Sequence, residues 1–287
     1  MVGSMDDSHP LRVSILGQGR AGRAVAAECR DAEGVELVGT WNRTPREGSA
    51  SGRTVPSELL EVDLVLLAVR DGAVESVART LTPPPGAAVV HLSGSADTSL
   101  LPPLPCSRGC WHPLQAFTEA GTPPSAPPYA VAVEGDAVAV ERGRLLATRL
   151  GHPSVELPAG ARAAYHAAAV LASNCLVALE ASAVRTLERA GVPRAEGWRL
   201  LWPLVAGTIG NLSEGPEPRS LTGPIARGDA TTVERNLLAL VGDEDARRTY
   251  QALGLESVRL AADMGVQEAD LDAIRTALAC VGASGDP

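Results

Sequence analysis

The sequence predicts a doubly wound, mainly parallel α/β sheet followed by an all-helical domain. Three observations carry that expectation. From Leu11 to Leu157, short apolar runs rich in β-branched residues alternate with helix-forming stretches, the pattern of a parallel sheet with crossover helices. The first run leads directly into Gly17-Gln18-Gly19-Arg20-Ala21-Gly22 and a helical segment. After Pro158 the strand signals stop and only helical patterns remain. The expected organisation is therefore one domain over 11–157 and a second over 158–287.

Leu11 to Leu16 reads as a buried strand. The G-x-G-x-x-G stretch that follows has a physical meaning in this setting. Its first glycine permits a tight turn, the second lets backbone approach a pyrophosphate, and the third lets helix pack on strand. The helix N-terminus offers free N–H groups and a positive dipole end. A second strand, Val35 to Thr40, ends in Trp41-Asn42-Arg43-Thr44. An NAD-preferring site usually carries an acid there for the ribose 2′-hydroxyl. None is present, and Arg43 with Thr44 would suit a 2′-phosphate, so NADP is the expected cofactor. The alternative is that Arg43 is a solvated turn residue. Asp63 to Val69 reads as a central strand buried on both faces. The residues expected to touch the cofactor are Gly17, Gln18, Gly19, Arg20, Ala21, Gly22, Asn42, Arg43, Thr44, Val69 and Arg70.

Ala87 to Leu92 forms the next strand, ending in Ser93-Gly94-Ser95. A further strand ends at Cys110-Trp111-His112-Pro113-Leu114-Gln115, and a proline-rich loop runs from Gly121 to Pro128. Strands at Tyr129 to Val133 and Ser154 to Leu157 flank a helix near 136–150. In open α/β sheets the ligand lies beyond the carboxyl ends of the strands, where these polar groups collect. Pro113 restricts His112 to extended backbone. A histidine titrating near neutrality can exchange a proton with a carbonyl or hydroxyl, so His112 is the first catalytic candidate, with packing or capping as its alternative. Ser93 and Ser95 are candidates to orient the reacting oxygen, and Gln115 to contact substrate.

The helical half is expected at about 160–190, 193–213, 228–241, 243–263 and 267–281, with a kink at Pro203. The first of these is Ala- and Leu-rich. Its apolar middle, Ala167 to Leu179, is expected to be buried on most sides. His166, Ser173 and Asn174 interrupt it; at 100° per residue His166 and Ser173 share a face. Such a notch needs partners or a ligand. His166 and Asn174 are therefore added to the catalytic candidates, and Ser173 to the substrate-binding ones. The segment Leu221 to Asp229 offers Thr222 and Arg227 to a substrate carboxylate, unless Asp229 simply caps the next helix.

Composition narrows the function classes. The 287 residues carry a net charge of −9 and only 3% aromatics, which disfavours nucleic acid and anionic membrane as partners. No apolar run was expected to reach the 18 or so residues that span a bilayer. Five scattered cysteines fit reduced thiols in the cytoplasm. Cys106, Cys110 and His112 lack zinc-like spacing and a fourth ligand, so no metal is expected. Met1 to Pro10 reads as a disordered lead. All 25 basic residues are arginine, so no lysine can act as acid or base.

Together these residues resemble a bacterial family with a Rossmann-like N-terminal domain and a helical C-terminal domain of unknown function. The resemblance rests on Gly17-x-Gly19-x-x-Gly22, Ser93-Gly94-Ser95, His112-Pro113-Leu114, the run from Tyr165 to Asn174, and Leu221 to Asp229. It implies an NADP-binding oxidoreductase whose helical domain is of the 6-phosphogluconate dehydrogenase C-terminal type, dimeric through that domain. Ketopantoate reductases are similar in layout, with a lysine where this chain has His166 and an asparagine on the same face as Asn174. Prephenate dehydrogenases are similar in having a serine and a His-Pro pair, matched by Ser95 and His112-Pro113. The resulting expectation is hydride transfer between NADP and a small keto or hydroxy acid, ketopantoate first, with an imine reductase of the pyrroline-5-carboxylate kind, a deazaflavin-linked reductase or a non-catalytic NADP-binding protein as alternatives.

Overall fold

The computed structural model describes residues 9–119, 128–215 and 220–280. Residues 1–8, 120–127, 216–219 and 281–287 lie outside them, and with them most of the expected lead and of the expected proline-rich loop. The chain divides into two compact units, Met1–Ser173 and Asn174–Pro287.

The first unit is built on one eight-stranded sheet in the order β3-β2-β1-β4-β5-β6-β7-β8. Its strands are β1 (Leu11–Leu16), β2 (Val35–Asn42), β3 (Ala50–Ser51), β4 (Leu64–Leu67), β5 (Ala88–His91), β6 (Ser107–Pro113), β7 (Val131–Gly135) and β8 (Ser154–Glu156). All neighbours are parallel except β6 and β7. Helices α1 (Arg20–Asp31), α2 (Asp71–Ala78) and α3 (Ala137–Arg149) cross between strands. The apolar runs are explained by burial on both faces: β4 and β5 are buried throughout. Val13, Ile15, Leu64 and Leu66 pack with Val25 of α1 and Leu146 of α3. Leu16, Val65 and Leu67 pack on the opposite face with Val74 and Val77 of α2. Chain order reverses between β1 and β4, so the crevice beyond their carboxyl ends is a topological switch point.

After β8 the chain is helical: α4 (Arg162–Val170), a π-helical turn at Leu171–Cys175, α5 (Leu176–Arg189), α6 (Arg194–Glu214), α7 (Ala230–Ala239), α8 (Glu244–Asp263) and α9 (Glu268–Cys280). Helix α4 belongs to the first unit and α5 to the second. The second unit's core is Val233 and Leu237 of α7, Val258 of α8, and Leu271 and Ile274 of α9. Asp229 caps α7 by accepting from the Thr232 amide at 3.0 Å, and Asp243 caps α8 by accepting from the Ala246 amide at 3.1 Å. Pro203 sits inside α6 without ending it.

Three expectations about the long helix change. It was expected to be buried, yet Leu171, Val177 and, on α6, Leu204 are 67%, 70% and 68% exposed within the single chain. Among the described residues nothing covers these side chains. By length and composition Arg162–Arg189, 28 residues, is also long and apolar enough to cross a membrane. The uncharged run from Ala163 to Leu179 falls just short of a strict span, but its flanks complete one. Finally, the π turn adds a residue to the helical repeat at Ser173 and Asn174. The regular 100° count that put His166 and Ser173 on one face therefore does not apply across it.

Candidate active site

The glycine loop joins β1 to α1. Gly17 has φ +118°, and a Cβ there would stand 2.4 Å from the Ala68 carbonyl oxygen. A Cβ on Gly22 would stand 2.1 Å from the Gly17 oxygen. These two glycines are demanded by the protein's own packing. Gly19 is different: it is exposed, and nothing lies closer to its Cβ position than the Ala68 oxygen at 4.0 Å. Gly19 is the N-cap of α1, no side chain caps that end, and its first turn carries no acid. The cradle thus has open space and unsatisfied amides where a diphosphate would lie, so the residues fit a dinucleotide.

Gln18 is buried, and its amide donates to Asn42 Oδ1 at 3.3 Å. Asn42 Nδ2 donates to the Thr44 carbonyl at 2.8 Å and to Thr44 Oγ1 at 3.0 Å. Asn42 and Thr44 therefore brace the loop against the end of β2. Arg43 is exposed and has no ion pair among the described residues. Arg20 lies 3.8 Å from Glu119, which also pairs with Arg23 at 2.8 Å. Ala21 and Val69 are half-buried, and Arg70 is the exposed N-cap of α2.

The ends of β5 and β6 carry the polar cluster. Ser93 Oγ donates to Asp71 Oδ2 at 2.8 Å and accepts from the Ala96 amide at 3.1 Å. Ser95 Oγ lies 3.4 Å from the same carboxylate. Both hydroxyls are thus turned toward the first residue of α2. His91 is wholly buried, and its Nδ1 accepts from the Ser93 amide at 3.2 Å. Its proton therefore sits on Nε2, facing the Asp97 carbonyl at 3.0 Å and Cys110 Sγ at 2.9 Å. Burial lowers the His91 pKa and pushes the Cys110 thiol up to about 12, so Cys110 is an inert packing group. No cluster of three or more metal-ligating side chains occurs among the described residues.

His112, half-buried on β6, places Nδ1 2.8 Å from the Tyr165 hydroxyl of α4. The rings meet edge to face with centroids 5.6 Å apart. His166 approaches the same point. A Cβ on Gly94 would be 2.7 Å from both His112 Nε2 and His166 Nδ1, so a side chain there would push the rings aside. His166 Nδ1 is buried and has no hydrogen-bond partner, although a buried polar atom ordinarily has one. Burial, first, and then the Arg162 and His166 charges lower the His112 pKa to about 4, against a weaker raising effect from Asp71. The expectation that His112 titrates near neutrality is not met: at pH 7 it is a neutral imidazole. Burial raises the Tyr165 pKa and Arg162 opposes the rise.

The remaining candidates are divided between the two units. Gln115 Oε1 accepts the Ala116 amide at 2.9 Å. Ser173 and Asn174 are exposed on the π turn. In the second unit, Thr222 borders a cavity of about 540 Å³ among Leu179, Leu201, Tyr250 and Leu253, and Arg227 is exposed in a 3₁₀ turn.

Sequence reasoning missed Tyr165, Arg162 and Glu134. Arg162 is 3% exposed; its Nε donates to Glu134 Oε2 at 3.1 Å, with Nη2 at 3.0 Å from the same oxygen. One signal was available: a cation in the first turn of a helix opposes the dipole and calls for a carboxylate partner.

Residues 129–257 match the model of a domain of unknown function, DUF2520. No curated protein matches the chain. Among solved structures, a Bacteroides fragilis protein provisionally described as an NADP oxidoreductase is similar with a TM-score of 0.67 and 19% identity, covering 86% of this chain and 98% of that one. Plasmodium falciparum pyrroline carboxylate reductase, solved with NADP bound, has a TM-score of 0.57 and 11% identity over 94% of this chain and 98% of its own. An Aspergillus terreus reductive aminase, in complex with NADPH4, cyclohexanone and allyl amine, has 0.54 and 18% over 94% and 92%. These structural neighbours agree with a Rossmann sheet followed by a helical region, the architecture expected from the sequence.

Proposed function

We propose that the chain is an NADP-dependent oxidoreductase that reduces a polarised C=O or C=N bond in a small molecule. One observation carries the reading: the sheet whose β1 and β2 ends form the dinucleotide cradle carries at the end of β6 an imidazole hydrogen-bonded to a phenol of α4, beside a second, unpartnered imidazole nitrogen. The cradle amides and the α1 N-terminus would hold the diphosphate, and Arg43 the 2′-phosphate. When bound, NADPH supplies a hydride to the electrophilic carbon. Tyr165 gives its hydroxyl proton to the oxygen or nitrogen, so that hydride and proton add across the double bond. In this reading His112 donates from Nδ1 to the phenol oxygen and holds the charge left there, as a neutral imidazole can. His166 Nδ1 is free to meet a polar atom of the substrate.

A small keto acid is the first substrate class, from the sequence resemblance. A cyclic imine is the second, favoured by the pyrroline carboxylate reductase and reductive aminase among the structural neighbours. Parallel NADPH-oxidation assays on both classes separate them. Fluorescence titration tests the cofactor: Arg43→Ala should weaken NADPH by about 10–100-fold, the loss of a charge-assisted contact, and leave NADH unchanged. Equal weakening of both would remove Arg43 from the 2′-phosphate.

We also propose that a second copy covers the exposed apolar faces of α5 and α6, as large exposed patches generally mark interaction surfaces. Sedimentation at micromolar concentration should give a dimer, and Val177→Arg should dissociate it. A monomeric wild type would refute this.

A further inference from the structure

We propose that Arg162, clamped by Glu134, is a positioning residue that keeps His112 neutral and eases release of the proton from Tyr165. The inference rests on the reductase reading for its catalytic meaning, but the electrostatic claim stands on geometry alone.

Among the described residues the buried guanidinium of Arg162 has one carboxylate partner, Glu134 of β7. Its Nε donates to Glu134 Oε2 and Nη2 lies 3.0 Å from the same oxygen, while neither Nη1 nor Nη2 makes a hydrogen bond. A buried charge paired on one side only is costly, and the site retains it. Its carbon Cζ lies 5.7 Å from the centre of the Tyr165 ring, one helical turn along α4. Tyr165 in turn touches His112 at 2.8 Å. The cation thus stands behind the phenol, on the pair that would handle the proton.

The chemistry follows from the sign of that charge. A second positive charge on His112 is opposed by Arg162, and also by His166 and His91, while Asp71 favours it. The imidazole therefore stays neutral. A negative charge on the Tyr165 oxygen is favoured by the same guanidinium. When the phenol proton leaves, the phenolate is met by the His112 Nδ1–H and by the Arg162 field. When the proton returns from solvent, the pair is reset. Glu134 holds the guanidinium in place.

The test compares Arg162→Lys, which keeps the charge, with Arg162→Gln/Glu134→Gln, which removes both charges and leaves two amides able to bond each other. His112 is titrated by NMR in each folded variant, without substrate. In wild type and Arg162→Lys its midpoint should stay near 4. In the double variant it should move up toward the ordinary histidine range, and the Tyr165 titration, followed by ultraviolet absorbance, should move further above 10. With a turned-over substrate, kcat should fall about tenfold or more with KM little changed. Arg162→Met alone serves as a second charge-removing variant should the double variant fail to fold. An unchanged His112 midpoint in a folded charge-removing variant would overturn the proposal. Shifted titrations with no turnover of any substrate by wild type would instead count against the reductase reading and leave the electrostatic role intact.

Discussion

Tyr165→Phe should lower kcat for reduction by about 10²–10³-fold, the usual worth of a positioned proton donor, with a small change in KM. The substitution keeps the ring, its edge-to-face contact with His112 and its place over Arg162, and deletes only the hydroxyl. The fold should lose about 1 kcal/mol, the net value of one hydrogen bond. The pH profile separates this donor from the alternative. If the phenol gives the proton, reduction stays level through neutral pH and declines only as Tyr165 ionises, above its ordinary value near 10 because burial raises it. If an imidazolium at His112 were the donor, the rate would fall as pH rises through about 4, leaving little activity at pH 7. A profile that declines from acid to neutral pH, or a Tyr165→Phe enzyme with wild-type kcat, would reject the phenol. His112 also leaves a mark on stability. Its folded pKa lies below the unfolded value near 6.5, so the unfolded chain binds more protons between those values. The neutral imidazole therefore favours the fold above about 6.5, and that contribution is lost as pH falls toward 4.

The sheet was legible because its central strands are buried on both faces and so read as unbroken apolar runs, as in Leu64–Leu67 and Ala87–Val90. The glycine loop was legible because two of its glycines answer to steric contacts within the chain. The polar cluster was legible only in part. His112 and His166 were named from their places in the chain, and the structure brings both against Gly94. Their properties were not legible, since burial and a cation distant in sequence set the charge state of His112. Ser93 and Ser95 illustrate the same limit: their sequence position is a strand end, but Asp71, more than twenty residues earlier, takes their hydrogen bonds. Tyr165 escaped notice beside the more obviously titratable His166. The π turn at Leu171–Cys175 has no proline or glycine to announce it, so a regular helical count carried too far along the chain.

Gly22→Ala and Gly19→Ala should behave differently, and the contrast tests the cradle. The new methyl at Gly22 would stand 2.1 Å from the Gly17 oxygen, a backbone atom that cannot step aside. Helix α1 must then lift from β1, at a cost of about 1–3 kcal/mol for forced overpacking, and the loop amides lose their arrangement. Gly22→Ala should therefore lower the melting temperature and abolish measurable NADPH binding together. At Gly19 the methyl enters open space, with its nearest neighbour 4.0 Å away. The folded chain alone gives no reason for a glycine there, since the backbone is extended at φ −71°. A reason appears only if a diphosphate must approach that backbone closely. Gly19→Ala should thus leave the melting temperature unchanged and weaken NADPH by about tenfold or more, a loss of 1.4 kcal/mol or greater. Wild-type NADPH affinity in Gly19→Ala would mean that the loop is built for packing alone, and the oxidoreductase reading would lose its cofactor site.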